Sequence, residues 1–136
     1  TLSLHDALPI WIPQPLPQIW GDRALIEEVF TNLISNGFKY NQNEQKWVEV
    51  GWTETPGSDF SDTITVYLRD NGIGIREKHL DSIFRIFKRL HAPGKYGGGT
   101  GAGLTIVKKI IERHQGKIRV ESIYGQGTTF WLTFPH

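Results

Sequence analysis

The chain has no cysteine among its 136 residues. Disulfides and thiolate metal sites are therefore excluded, and the composition is compatible with a reducing compartment. An excess of charge of one sign is also lacking, because 15 basic and 14 acidic residues leave a formal net charge of +1. We therefore expect neither a basic surface that would attract nucleic acid nor an acidic tail.

Long apolar runs are missing as well. No run approaches the roughly 20 residues that a helix needs to cross a bilayer, and no stretch has the basic start and apolar centre of a signal peptide. Without internal repeats, the length fits one domain with its own core. We place that domain at residues 10–136 and leave residues 1–9 unassigned, because His5 and Asp6 lie in no regular pattern and favour a solvated segment over a catalytic pair.

The most distinctive stretch runs from Lys95 to Leu104 and contains five glycines. Glycine lets a backbone approach a ligand closely, and a helix that begins there points its N–H groups and positive dipole end into the loop. This arrangement suits a polyphosphate, although a flexible loop that caps a helix fits the glycines equally well. The pattern predicts a mobile lid over Pro93–Gly99 and a helix from about Gly101 to His114, with Gly116 as its C′ residue.

A longer helix is predicted from Arg23 to about Tyr40, with Asp22 as its N-cap. Apolar residues recur on one face, whereas Asn32 and Asn36 lie one turn apart on another. Asparagine weakens a helix, and a merely solvated stripe would use Glu, Lys or Gln at lower cost. An amide oxygen can ligate Mg²⁺ that also holds phosphate, so we interpret Asn36, and secondarily Asn32, as functional.

Two alternating segments, 47–53 and 63–69, predict an antiparallel hairpin. The second runs directly into Asp70-Asn71-Gly72-Ile73-Gly74-Ile75. A carboxylate at a strand end can accept a hydrogen bond from an exocyclic amine, while a glycine backbone passes close to a flat ring. An ordinary Asp-Asn-Gly turn is the alternative, but the flanking isoleucines favour the functional interpretation.

The remaining segments complete the predicted fold. Prolines make 10–19 an extended edge segment, 77–84 resembles a short helix, and the strands 117–123 and 128–134 are joined by a hairpin turn. The order of elements predicts a two-layer α/β (α+β) sandwich. It does not fit a dinucleotide-binding fold, because no strand leads into the glycines. It also fails as a P-loop, because Tyr96 follows Gly94-Lys95 where Ser or Thr is required.

Four segments resemble the sequence boxes of sensor histidine kinases, in the same order and with similar spacing. Residues 32–40 resemble the asparagine box, 70–75 the first glycine box, 83–90 the phenylalanine box and 99–104 the second glycine box. The closing segment 121–135 is similar to the final hairpin of that family. The resemblance covers residues 10–135, and Arg89-Leu90-His91 is most similar to phytochrome-type kinases.

The resemblance implies the Bergerat ATP-binding fold, in which a mixed, mostly antiparallel sheet carries helices on one face. It implies ATP and Mg²⁺ as ligands. Asp70 would accept a hydrogen bond from the adenine amine, and Asn36 would ligate the metal. Gly72, Gly74 and Ile75 would pass beneath the base. The remaining ligands to phosphate or ribose would be Asn32, Lys39, Tyr40, Gly99, Thr100, Gly101, Gly103 and Leu104.

The family's reaction transfers the γ-phosphoryl group of ATP to a histidine on a helical hairpin, from which a response regulator receives it. The resemblance therefore implies a cytoplasmic catalytic domain whose acceptor hairpin is not in this chain and which holds no firm catalytic residue of its own. Two positions depart from the pattern: Gly37 replaces the usual alanine, at a cost of roughly 1 kcal/mol of helix stability, and Ala102 replaces a larger apolar residue.

Three alternatives remain open from the sequence. An ATP hydrolase of the same fold typically carries a glutamate as general base where this chain has Asn32, which cannot take a proton. A nucleotide-sensing module without catalysis would keep the same ligands. A serine kinase of the anti-sigma type shares the fold, but its boxes usually differ.

Overall fold

The computed structural model describes residues 9–55, 63–85 and 103–135. These residues form five strands, two α-helices and one 3₁₀-helix. In chain order they are β1 (Ile10–Trp11), α1 (Arg23–Lys39), β2 (Val48–Thr55), β3 (Thr63–Asp70), the 3₁₀-helix (Glu77–His79), α2 (Gly103–Arg113), β4 (Lys117–Ile123) and β5 (Gly127–Pro135).

The strands form one mixed sheet in the order β1-β2-β3-β5-β4. β1 pairs with β2 in parallel, and the other three pairings are antiparallel. The expected mixed, mostly antiparallel sheet is therefore confirmed. β3 lies at the centre, and its last residue, Asp70, pairs with Val48 on one side and Thr128 on the other. The end of the central strand thus places Asp70 between two neighbouring strands.

Side chains alternate between the two faces of the sheet, as the strand period requires. On β3 and β5 the even-numbered apolar residues are buried against the helices, and α1 and α2 each contribute one apolar face. The buried apolar residues are Val29, Leu33, Val48, Val50, Ile64, Val66, Leu68, Ile83, Val107, Ile110, Ile111, Phe130, Leu132 and Phe134. Both helices therefore cover the same face, which confirms the two-layer arrangement.

The start of α1 is fixed by two contacts. The Asp22 carboxylate accepts a hydrogen bond from the Leu25 N–H at 3.1 Å, which confirms Asp22 as the N-cap. The Asp22 N–H donates to Nε2 of His114 at 3.0 Å, and Nδ1 of His114 lies 2.8 Å from the Ile110 carbonyl. Because Nε2 accepts, the proton sits on Nδ1. The imidazole therefore ties the start of α1 to the end of α2.

The predicted helix at 77–84 is wrong in its extent. Only Glu77–His79 are helical, and they form a 3₁₀ turn that continues as turns to residue 84. The backbone bonds here join each residue to the third one before it, and Ser82 Oγ also donates to the His79 carbonyl. Ile83 is 2% exposed and Phe84 packs edge-on against Phe130. Burial of these two side chains therefore determines the backbone more than helix propensity does.

The assignment of Gly116 as the C′ residue of α2 is also wrong. Gln115 takes the left-handed conformation there, with φ 60°. Gly116 donates its N–H to the Ile111 carbonyl at 2.9 Å, and a Cβ at Gly116 would run into the Thr133 carbonyl. Glycine is therefore required at this position because the chain passes close to β5, not because of its φ angle.

Candidate nucleotide-binding site

Asn32 and Asn36 lie one turn apart on one face of α1, and Tyr40, the C-cap residue, follows one turn later. Asn32 donates from Nδ2 to the Glu28 carbonyl at 2.8 Å. Its Oδ1 lies 3.0 Å from where a Cβ on Gly103 would be, so it faces the start of α2. The half-buried Asn36 makes no side-chain hydrogen bond within the described part of the chain. Its amide is therefore available to a ligand.

The last turns of α1 pack directly on the ends of β2 and β3. A Cβ on Gly37 would lie 2.7 Å from Cγ2 of Val48 and 3.5 Å from Oδ2 of Asp70. The Val48 methyl group thus occupies the space that an alanine side chain would take. The unusual glycine is explained by this close packing, which brings the helix next to the Asp70 carboxylate.

The pKa of the Asp70 carboxyl group is clearly shifted. Burial raises the pKa of Asp70 to about 6, and hydrogen bonds from the backbone of Gly72 and Thr128 offset part of that effect. The Gly72 N–H donates to Oδ1 at 2.8 Å. A buried carboxylate whose charge is only partly compensated is a candidate functional group. It can accept a further hydrogen bond, for which an amine is a suitable donor.

The loop after Asp70 needs its glycines for contacts within the protein. A Cβ on Gly72 would lie 2.6 Å from the Tyr40 carbonyl, which also accepts the Ile73 N–H at 3.0 Å. Gly74 has a φ of 77°, and a Cβ there would run into the Ile123 carbonyl. The loop therefore packs closely between the end of α1 and the β4–β5 hairpin. The close approach of these glycines to a base stays a prediction.

A network of asparagines was missed by the sequence analysis, which assigned no role to residues 41–45. Asn41 is 3% exposed and donates from Nδ2 to the Gly37 carbonyl at 3.1 Å and to Oδ1 of Asn71 at 2.8 Å. Asn71 Oδ1 also accepts the Trp47 N–H at 3.0 Å. These contacts join the end of α1 to the loop. The recurrence of asparagine at 41, 43 and 71 was the available signal.

The β4–β5 hairpin was predicted only as a structural element, yet it contacts the same loop. The Gly125 N–H donates to the Ile73 carbonyl at 2.6 Å. The Ile75 N–H donates to Oγ of Ser122 at 2.7 Å. A hydroxyl one residue before the end of β4 gave no sequence signal of its own, because serine is also common on solvated strands.

The structure brings most of the described candidates together around the C-terminal half of α1. Asn32, Asn36 and Gly103 lie toward the start of α2, and Asp70 and Gly72 lie beside Gly37 and Tyr40. Ile75 and Leu104 pack partly buried against the core, and Lys39 is half-buried on the last turn. Gly99, Thr100 and Gly101, the predicted lid at 93–99 and the phenylalanine-box residues after Arg85 lie outside the described residues.

A magnesium ion fits the donors near α1 only if phosphate supplies some of its ligands. In the ranges 9–55, 63–85 and 103–135, no group of three or more His, Asp or Glu could hold a metal ion. Mg²⁺ commonly binds through one or two protein oxygens while phosphate and water fill its other positions. The free amide of Asn36 suits that role.

Fold and site together define a nucleotide-binding domain of the two-layer type, and comparisons with known proteins identify its family. The family model described as histidine kinase-, DNA gyrase B-, and HSP90-like ATPase matches residues 21–136. The chain therefore belongs to this family and is an ATP-binding domain of the histidine-kinase type.

Curated relatives with high identity include phytochromes and a sensor protein kinase. Cyanobacterial phytochrome B of Nostoc sp. is 61% identical over 95% of this chain, which spans 17% of the relative. Cyanobacterial phytochrome A of the same organism is 42% identical over 89% of the chain and 15% of the relative. The sensor protein kinase WalK of Staphylococcus aureus is 39% identical over 84% of the chain and 27% of the relative. The chain thus spans less than a third of each of these proteins.

Solved structures show the same fold. The catalytic domain of histidine kinase ThkA is 26% identical, with a TM-score of 0.70 over 93% of this chain and 76% of that one. The mycobacterial sensor histidine kinase MprB has a TM-score of 0.73 at 24% identity, over 93% of this chain and 78% of the other. Across the described residues, no helix has the length and hydropathy needed to cross a membrane.

Proposed function

We propose that this chain is the catalytic part of a sensor histidine kinase. It binds Mg-ATP and transfers the γ-phosphoryl group to a histidine on a helical hairpin of the same kinase, from which a response regulator receives it. The high identity to a phytochrome supports this assignment, as does the fold shared with a histidine kinase catalytic domain. The proposal places the domain in the cytoplasm, where ATP and the response regulator are found.

The base end of the proposed site is the loop that follows β3. Asp70 accepts a hydrogen bond from the adenine amine, and Gly72, Gly74 and Ile75 form the backbone surface beneath the ring. Two observations support this role. The Gly72 N–H donates to the Asp70 carboxylate, and the loop that follows packs closely against the end of α1 and the β4–β5 hairpin. Binding the amine would compensate part of the burial that raises the pKa of Asp70.

The phosphate end is the junction of α1 and α2. Asn36 ligates Mg²⁺, which neutralises charge on the phosphates when it is bound. Asn32, Lys39 and Tyr40 contact phosphate or ribose. Gly103 and Leu104 lie at the described start of α2, where N–H groups and the helix dipole favour an anion. Gly99, Thr100 and Gly101 complete the phosphate site in the proposal.

One observation carries the proposal: the C-terminal half of one helix, α1, contacts both ends of the site. Gly37 lies beside Asp70, and Asn32 lies beside Gly103, with Asn36 between them. Five residues of α-helix separate the two contacts, a rise of about 7.5 Å. A nucleotide that spans this interval would present its base to Asp70 and its phosphates to α2.

Asn32 favours phosphoryl transfer to a protein over hydrolysis by the same fold. Its Nδ2 is engaged with the Glu28 carbonyl, and its Oδ1 faces Gly103. An amide cannot take a proton from water, so this position supplies no general base. Transfer to a histidine needs no such base, since catalysis relies on positioning and charge neutralisation.

The experiment combines this domain with the helical hairpin of the Nostoc phytochrome relative and γ-labelled Mg-ATP. We expect acid-labile phosphate on the hairpin, none when its acceptor histidine is replaced by glutamine, and no comparable release of inorganic phosphate by the domain alone. Asn36→Ala should abolish transfer and remove the gain in ADP affinity that Mg²⁺ provides. Ser35→Ala, on the exposed side of the same helix, is the matched control.

Two results would overturn the proposal. If the domain releases phosphate rapidly without any hairpin, the chain is a hydrolase. If it binds Mg-ATP but labels no hairpin histidine, it is a nucleotide-sensing module.

A further inference from the structure

The β4–β5 hairpin contacts both sides of Asp70. On the chain after Asp70, Ile75 donates its N–H to Ser122 Oγ at 2.7 Å. On the neighbouring strand, Thr128 is paired with Asp70, and its backbone hydrogen-bonds the Asp70 carboxylate. Oγ1 of Thr128 lies 2.9 Å from Ser122 Oγ. One serine hydroxyl therefore contacts the two segments that flank the carboxylate.

The hydrogen bonds of Ser122 form one consistent arrangement. A hydroxyl has one donor and two acceptor positions. Ser122 donates its single hydrogen to the Gly127 carbonyl at 2.9 Å, and it accepts from the Ile75 N–H. Its second acceptor position then receives the hydroxyl hydrogen of Thr128. All three positions are filled by the protein, so Ser122 has no capacity left for a ligand and acts only through its neighbours.

The hydroxyl of Ser122 is one of the contacts that fix the position of the loop, and it acts at the end where the loop meets the β4–β5 hairpin. Within the loop, Gly74 holds a left-handed φ of 77°. Removing the Ser122 hydroxyl would leave the Ile75 N–H without its partner and Thr128 Oγ1 without its acceptor. An unpaired, partly buried donor is destabilising, and the loop can avoid that cost by shifting.

We propose that Ser122 is a positioning residue that holds the loop 71–75 and Thr128 around Asp70, and that it thereby sets the site's selectivity for a purine carrying an exocyclic amine. The inference rests on the proposed function, because it assigns a specificity determinant to the same site. Loss of the hydroxyl displaces the surface under the base and the carboxylate that reads the amine. Contacts to the phosphates, which come from α1 and α2, stay in place.

The test compares two ligands by calorimetric titration: ADP and its analogue with an unsubstituted 6-position on the purine. Wild type is expected to prefer ADP. Ser122→Ala should weaken ADP binding about tenfold and change the affinity for the analogue less than twofold, so that the preference largely disappears. Ser122→Thr restores a hydroxyl and should restore the preference. Thr129→Val, on the opposite face of the same hairpin, should behave as wild type.

The outcomes separate this inference from the proposed function. If wild type binds neither ligand, the proposed function fails. If wild type prefers ADP and Ser122→Ala keeps that preference, or loses both ligands equally, the inference is overturned. Where Ser122→Ala does not fold, Ser122→Cys replaces it, because the thiol is close in size but a weak hydrogen-bonding group.

Discussion

Asp70 offers a test in which stability and binding should move in opposite directions. Its carboxyl group has a pKa of about 6 in the folded protein and a reference value of 3.8, because burial disfavours the charge. The folded state therefore binds this proton more tightly than the unfolded state does. At pH 7 the domain keeps the carboxylate ionised at a cost in folding free energy.

The size of that cost follows from the shift. A difference of roughly 2 pKa units at about 1.4 kcal/mol per unit corresponds to about 3 kcal/mol. Asn in place of Asp70 carries no charge, and its oxygen can still accept the Gly72 N–H. We expect Asp70→Asn to stabilise the nucleotide-free domain by up to that amount at pH 7. With about 4 °C per kcal/mol for a chain of this length, the melting temperature should rise by roughly 5–10 °C.

The direction of the pKa shift also determines how the stability advantage changes with pH. Since the pKa of Asp70 is raised on folding, the penalty is fully present above pH 6 and is relieved as the pH falls toward 3.8. The stability advantage of Asp70→Asn should therefore be largest at pH 7–8 and shrink as the pH approaches 4. Differential scanning calorimetry of both proteins over this range measures the effect.

Nucleotide should reduce the stability advantage of the variant. If Asp70 accepts a hydrogen bond from the adenine amine, its loss should weaken ADP binding at least tenfold, because a hydrogen bond to a charged group contributes about 1.5–3 kcal/mol. Saturating ADP should then raise the melting temperature of wild type more than that of the variant. Asp81→Asn, an exposed carboxyl change, should alter neither quantity. A variant that is less stable than wild type at every pH, or that binds ADP equally well, would refute the reasoning.

Two further predictions concern the packing around the site. Asn41→Asp places a carboxylate where Nδ2 donates to the Gly37 carbonyl and Asn71, so urea unfolding should show a loss of about 3 kcal/mol or more. The exposed change Glu44→Gln should cost about 1 kcal/mol or less, and equal losses would contradict the network's role. Gly37→Ala should destabilise wild type by about 1–3 kcal/mol, because the added methyl group would collide with the Val48 methyl group. In a Val48→Ala background the same change should be stabilising. Additive effects in that double-mutant cycle would contradict the packing explanation.

The fold was predictable to a large extent because its elements carry strong local signals. α1 has a capping residue and one apolar face, and the strands alternate in a period of two, which fixes the faces of the sheet. The segment 77–84 could not be predicted, because its backbone follows the burial of Ile83 and Phe84. The conformation of Gln115 was equally hidden, since the constraint on Gly116 comes from β5, which is distant in sequence.

The candidate site likewise contains residues that the sequence indicated and residues that it did not. Asp70, Asn36 and the glycines were predicted as site residues because these residue types are unusual where they occur. Asn41 and Ser122 were missed because asparagine in a turn and serine on a strand are ordinary, and only the folded contacts distinguish them. The glycines also illustrate a limit of motif reasoning. Gly72 and Gly74 were assigned to a base, yet contacts with Tyr40 and Ile123 already require them.

The electrostatic cost of Asp70 explains why its loop is held from several sides. A carboxylate that is buried with incomplete compensation would favour any movement that exposes it to water. In the described part of the chain, the Tyr40 carbonyl, the Asn41–Asn71 contact and the β4–β5 hairpin each oppose that movement. The loop is thus organised in the ligand-free protein. In the proposed site, a purine amine would gain a hydrogen bond to an acceptor whose desolvation has already occurred on folding, and affinity for the base would depend on residues that do not contact it.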